Sequence, residues 1–146
     1  MDIEKLRKQL EIDEGIVHEI YLDHLGYPTF GIGHLVRDSD PEHGADVGTA
    51  INETRCIEVF NEDVETVIKD CKILYPDFDD LPEEVQQIVA NMMFNMGRTR
   101  LSKFKNFTAA LEDHDWKRAA VEGRDSRWHK QVTNRAERLM VKMESV

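Results

Sequence analysis

The chain is poor in thiols and in long apolar stretches. It has two cysteines and four prolines in 146 residues. No apolar run approaches the ~18 residues that a membrane-spanning helix needs, which argues against a helical span. Two thiols are too few for a disulfide scaffold. Cys56 and Cys71 fall on one predicted helix, where fifteen residues at ~1.5 Å rise put them ~22 Å apart, beyond bonding reach. Free thiols fit synthesis in a reducing compartment. Basic residues are also scarce, with 19 Lys and Arg against 29 Asp and Glu and a formal charge of −10. That balance argues against nucleic acid and anionic membranes as partners. The histidines at positions 18, 24, 34, 43, 114 and 129 show no metal-ligand spacing, and no metal site is expected. Gly31 and Gly33 are read as packing positions, because the spacing and following helix of a phosphate loop are missing.

What is present is a globular composition, 40% hydrophobic. The length suits one folding unit that can split into two lobes. The opening MDIEKLRKQLEIDE is charged and has no apolar core of the signal-peptide kind.

Ile3, Leu6 and Leu10 predict an opening amphipathic helix with Glu14 near its end. Residues from about 20 to 36 read as a short antiparallel sheet, with Pro28 in or beside a turn. Residues 37 to 51 are polar and turn-rich, a loop with room for a short helix. Asn52 is a good N-cap. Cys56, Phe60, Val64, Val67, Ile68 and Cys71 form one apolar stripe on a long helix that ends near Leu74. Asp80-Leu81-Pro82-Glu83 has capping-box spacing. Val85, Ile88, Val89, Met92, Met93 and Met96 make the following helix apolar on most sides, and Gly97 should stop it. Short helices are expected at about 104–112, 115–122 and 134–143.

The chemistry concentrates in DEGIVHEIYLDHLGYPTFGIGH, residues 13–34. Glu14 ends a helix-like pattern and Asp23 follows nine residues later. A turn at Gly26-Tyr27-Pro28 then feeds Thr29. A helix end followed by a hairpin can bring two carboxylates and a hydroxyl to the lip of one cleft. A protonated and an ionised carboxyl facing one bond are the equipment for glycoside cleavage. Glu14 is the candidate acid and Asp23 the second carboxylate, either base for a water or nucleophile. Read blandly, Glu14 is a surface helix end, Asp23 a turn cap and Thr29 a strand residue.

This segment resembles the active-site region of the phage-type, T-even endolysin lysozymes, a family of glycoside hydrolases. The resemblance rests on Glu14-Gly15, Tyr21-x-Asp23, Gly26-Tyr27-x-Thr29 and Gly31-Ile32-Gly33-His34-Leu35. Asn91 to Gly97, Ser126-Arg127-Trp128 and Thr133-Asn134-Arg135-Ala136 extend it. These motifs occur in the family's order from about Leu6 to Lys142.

The resemblance implies a mainly α, two-lobed lysozyme fold in one domain over residues 1–146. It would have a small antiparallel sheet in an N-terminal lobe (about 12–55), a connecting helix (about 52–74) and a helical C-terminal lobe (about 75–146). It implies catalysis by Glu14, Asp23 and Thr29, with inversion through a water held by Asp23 and Thr29. Arg135 would hold the Glu14 carboxyl, and His34 would be a structural, ion-paired residue. Leu35 and Phe94 match positions that line the saccharide cleft. Phe107 and Glu122 occupy two further cleft positions but depart from the family's Ser and Asn. An aromatic there can stack on a sugar, and an acid can accept from its hydroxyls.

The implied activity is muramidase hydrolysis of the β-1,4 bond between N-acetylmuramic acid and N-acetylglucosamine in peptidoglycan. It needs no cofactor. The protein would be a monomer, held in the host bacterial cytoplasm before release to the wall. Two rival readings remain: a lytic transglycosylase, and a non-catalytic wall-binding or virion module.

Overall fold

The computed structural model describes residues 1–146. Its order is α1 (Ile3–Glu14), β1 (Val17–Leu22), β2 (Pro28–Gly31), β3 (His34–Leu35) and α2 (Glu53–Leu74). There follow α3 (Glu83–Leu101), α4 (Lys105–Glu112), α5 (Trp116–Arg124), α6 (Arg127–Gln131) and α7 (Thr133–Glu144). The fold is mainly helical, with one three-stranded antiparallel sheet in the order β1-β2-β3. The chain forms two compact units. One is residues 4–66, and the other is residues 1–3 with 67–146.

In the unit of residues 4–66, α1 buries Leu6 and Leu10 as the helical spacing predicts, while Ile3 stays at the surface. The first two strands pair Tyr21 with Thr29 and Leu22 with Pro28, after a register shift between Val17 and Tyr21. Thr29 and Phe30 then face Leu35 and His34 on β3. Ile20, Phe30, Ile51, Cys56 and Val59 form the core beneath the sheet. Residues 37–51 form turns without a helix. Their end covers the outer edge of β1: Ile20 N–H donates to the Thr49 carbonyl and Ile51 N–H to that of His18. A strand edge closed this way cannot recruit another chain.

Helix α2 starts where Asn52 predicts. The Asn52 Oδ1 accepts from Arg55 N–H at 2.8 Å. Cys56, Phe60, Val64, Val67 and Cys71 are buried, and Ile68 is half-buried. Both thiols are unbonded. Burial pushes Cys71 up to about 12 and raises Cys56 as well, so both stay protonated.

In the unit of residues 1–3 and 67–146, α3 carries the most buried surface. Val85, Ile88, Val89, Met92, Met93 and Met96 are all inside. One expectation is corrected here. Asp80 does not cap α3; it closes a 3-10 turn over Phe78–Asp80, and Pro82 occupies the cap position without a side-chain bond. The buried Gln86 does the tethering instead, donating to the carbonyls of Phe78, Asp79 and Leu81. Gly97 leaves the helical region at φ 79° and ψ 165°, so the apolar helix stops there as expected, and a separate short helical stretch follows to Leu101. Helix α6 is an addition to the expected set. Ser126 caps it by accepting from His129 N–H at 3.2 Å, and Trp128 is its buried residue.

Candidate active site

Glu14 is the last residue of α1. Gly15 N–H closes the final turn on the Glu11 carbonyl at 2.9 Å, and Gly15 itself adopts φ 76°. That left-handed step suits glycine. It turns the chain out of the helix into β1 and leaves Glu14 half-buried at the junction.

Asp23 opens the turn between β1 and β2. Its Oδ1 accepts from the N–H groups of Leu25 and Tyr27, each at 2.9 Å. Its own N–H donates to the Tyr27 carbonyl. One carboxylate oxygen thus builds the turn, and Oδ2 is left for a ligand. Thr29 is buried, and its hydroxyl donates to the Tyr27 carbonyl at 3.0 Å. With its proton committed, Thr29 Oγ1 can only accept from a water.

Tyr21 joins the two acids. Its phenol pKa is raised, first by burial and then by the charges of Glu14 and Asp23. Both carboxylates therefore act on one side chain in the middle of the hairpin, across from Thr29. Tyr21 was visible in sequence only as part of a motif. Its alternating strand position gave no sign that the charges of both acids reach it.

His34 is buried beneath this hairpin, at the start of β3. Its Nδ1 lies 2.6 Å from Asp63 Oδ2, and its Nε2 lies 2.7 Å from Asp40 Oδ2. Asp40 also accepts from the Arg37 N–H and from the guanidinium groups of Arg37 and Arg55. This network ties the loop after β3 to α2. Its residues have structural partners, and the imidazole is enclosed.

The remaining candidates differ in setting. Leu35 is 51% exposed on β3. Phe94 is half-buried on α3. Arg135, on α7, donates from Nε to Oδ1 of the buried Asn91 at 3.0 Å. Beside it on α3, Asn95 accepts from the Trp128 indole at 2.8 Å. Phe107 is only 1% exposed and packs edge-on against Phe104. No ring face is left for a sugar, which corrects the stacking expectation. The cause is its inward position on α4, where it joins Ala110 and Leu111 in the core. Glu122 is half-buried at the rim of an open hollow of about 300 Å³ that also reaches Phe107. No group of three or more His, Cys, Asp or Glu side chains is arranged to hold a metal. No helix is long and apolar enough to cross a membrane.

A sequence model described as phage lysozyme matches residues 11–142. The chain belongs to the phage lysozyme family. That family degrades peptidoglycan by glycoside hydrolysis, and the chain takes its place in this enzyme class. Among curated relatives it is 27% identical to probable T4-type lysozyme 2 of Dictyostelium discoideum, over 94% of this chain and 92% of the relative. It is 27% identical to the pre-baseplate central spike protein Gp5 of Enterobacteria phage T4, over 92% of this chain but 26% of that protein. A similar 27% relates it to peptidoglycan hydrolase gp36 of Pseudomonas phage phiKMV, over 97% of this chain and 15% of that protein. The family's sequence thus occurs both as nearly a whole protein and as a small part of larger phage proteins.

Proposed function

We propose that this protein is a muramidase that hydrolyses the β-1,4 bond between N-acetylmuramic acid and N-acetylglucosamine. Glu14 donates a proton to the leaving oxygen. Asp23 Oδ2 accepts a proton from the attacking water, and Thr29 Oγ1 accepts the second hydrogen of the same water. Two acceptors leave the water's lone pair aimed at the sugar carbon, which gives inversion. The observation that carries this reading is the shared influence of Glu14 and Asp23 on the Tyr21 phenol. Leu35 serves the saccharide. The proposed protein works as a monomer on the wall after release from the host cytoplasm.

The test is lysis of permeabilised Gram-negative cells by Glu14→Gln. Turbidity clearance should fall below about a tenth of the parent rate, in line with the 10²–10⁴-fold contribution of a general acid. Circular dichroism should be unchanged. Retained lysis removes Glu14 from the mechanism. Anhydro-muramic products would instead assign a transglycosylase, and a covalent sugar on Asp23 would replace inversion by retention.

A further inference from the structure

One face of the sheet in residues 4–66 carries a row of three side chains. Tyr21 on β1 pairs with Thr29 on β2, and Thr29 pairs with Leu35 on β3. Directly opposite partners share a face of a sheet, with Cβ atoms about 4.5–5.5 Å apart. Their chain neighbours Ile20 and Phe30 belong to the other face and enter the core. Tyr21 is half-buried, and its hydroxyl is not sealed in as that of Tyr75 is. The phenol is bonded to no protein group, although the charges of Glu14 and Asp23 both reach it. Asp23 Oδ1 is occupied by the N–H groups of Leu25 and Tyr27. The Thr29 hydroxyl donates to the Tyr27 carbonyl. Of the two hydroxyls in the row, only the phenol has its hydrogen uncommitted. Burial and the two negative charges raise its pKa, so it stays a donor at neutral pH.

A spare donor in the field of two acids restricts its own acceptor. The lactyl carboxylate of muramic acid would meet the Asp23 charge and be repelled. Next to the attacked carbon this leaves the ring oxygen and the acetamido carbonyl. The ring oxygen gives up electron density in the oxocarbenium-like transition state, so a donor there would oppose the reaction. The acetamido carbonyl is neutral and accepts at every stage. We propose that the Tyr21 phenol donates to the acetamido carbonyl of the muramic acid whose anomeric carbon is attacked, which makes Tyr21 a specificity-determining residue for N-acylated sugar. This deepens the muramidase reading and rests on it for the position of the water. The contact has a second consequence. A free acetamido oxygen can attack its own anomeric carbon, as in substrate-assisted glycosidases. Held by Tyr21, that oxygen is kept from the carbon, and the water on Asp23 and Thr29 remains the nucleophile.

The test uses the tetrasaccharide of two N-acetylglucosamine–N-acetylmuramic acid repeats, and an analogue with a hydroxyl in place of the acetamido group on its internal muramic acid. Cleavage of both is followed by chromatography for the parent and for Tyr21→Phe. Binding of both is followed by NMR titration in Glu14→Gln, with and without Tyr21→Phe. On the acetamido substrate Tyr21→Phe should be at least about tenfold slower than the parent, equivalent to ~1.4 kcal/mol of barrier. On the hydroxyl analogue the two proteins should cleave alike. Binding should show the same pattern, with the acetamido preference of Glu14→Gln lost when Tyr21→Phe is added. An equal loss on both saccharides would mark a merely structural tyrosine, and either that result or an unimpaired Tyr21→Phe overturns the proposal. A parent that cleaves neither saccharide overturns the muramidase reading. The titration then judges Tyr21 by itself: a preference that Tyr21→Phe abolishes upholds the contact, and a preference that survives overturns it. Absence of any binding overturns both.

Discussion

His34 Nε2 and Asp40 Oδ2 stand 2.7 Å apart, with both side chains almost sealed from solvent. The other ring nitrogen is 2.6 Å from Asp63. Two carboxylates at these distances favour a hydrogen on each nitrogen, which is the imidazolium form. Burial alone would lower the His34 pKa, but the bonds to Asp63 and Asp40 outweigh it and the net shift is upward. Burial likewise opposes ionisation of Asp40. The Arg37 N–H, His34 and the Arg37 guanidinium overcome it and hold that carboxyl far below the usual range.

The two shifts bound a pH window. His34 contributes stability fully below its unfolded pKa of ~6.5, and this is lost as pH rises through its higher folded value. Asp40 contributes above its unfolded ~3.9, and this is lost as pH falls toward its lower folded value. Arg55 and Glu42 flank the pair, and their mutual bond raises the Arg55 pKa and lowers that of Glu42, so both keep their charges through the window. His34→Asn should therefore destabilise more at pH 5 than at pH 9. Removing one member of a buried pair costs about 3–5 kcal/mol, so the pH 5 loss should lie near that range. Urea unfolding at the two pH values measures it. An equal loss at both would show that His34 is neutral when folded.

The long stripe of α2 was readable because Cys56, Phe60, Val64, Val67 and Cys71 repeat at the helical period, and Asn52 marks the start. The hairpin was readable from its alternation and its glycines. Asp40 was not readable. Its ligands Arg37, His34 and Arg55 are brought to it by the fold of a loop without periodicity. Phe107 failed for a related reason. A helix of eight residues offers too few turns to tell which aromatic faces inward, and Phe107 went in while Phe104 stayed half-buried. The proposed site divides in the same way. Glu14, Asp23 and Thr29 could be picked out by residue type and motif, whereas the tether from Asp23 to its own turn depends on backbone geometry.

Asp23 builds its own turn, and the proposed mechanism gives it a second, separable task. Asp23→Asn keeps an oxygen that can accept from Leu25 and Tyr27 N–H, but removes the charge. Asp23→Ala removes both. At ~0.5–1.5 kcal/mol per bond, the alanine variant should be about 1–3 kcal/mol less stable than the asparagine variant. Both should lose lysis by orders of magnitude. Urea midpoints alongside lysis rates make the comparison. Equal stability of the two variants would deny the turn-building role, and a fully active Asp23→Asn would deny the charge requirement.

Thr29 should tolerate serine and reject valine. Serine can keep the bond to the Tyr27 carbonyl and the acceptor for water. Valine keeps the shape, leaves that carbonyl with the Asp23 N–H alone and offers water nothing. Thr29→Val should cost about 0.5–1.5 kcal/mol for the lost bond and reduce lysis at least about tenfold, close to 1.4 kcal/mol of barrier. Thr29→Ser should retain most of the rate. A steady-state comparison of the three proteins on one wall preparation decides it, and a valine variant as active as serine would release Thr29 from the water.

The last prediction follows from the charge division. Peptidoglycan is anionic, and residues 4–66 carry the full −10. At ~0.01 M salt the screening length is ~30 Å, so this repulsion reaches across the whole molecule during encounter. At ~0.15 M it is ~8 Å, and only charges near the contact count. Residues 98–142 carry twelve bases against six acids, and this excess attracts the wall at short range. Added salt thus removes the long-range repulsion before it removes the local attraction. Lysis should rise from ~0.01 M to an optimum near ~0.1–0.2 M and then fall. Charge-neutralising substitutions in the exposed acids Asp38, Asp46 and Glu58 should flatten the rising limb without moving the falling one. Lysis that drops steadily from the lowest salt would mean that the basic surface of residues 98–142 governs encounter at every range.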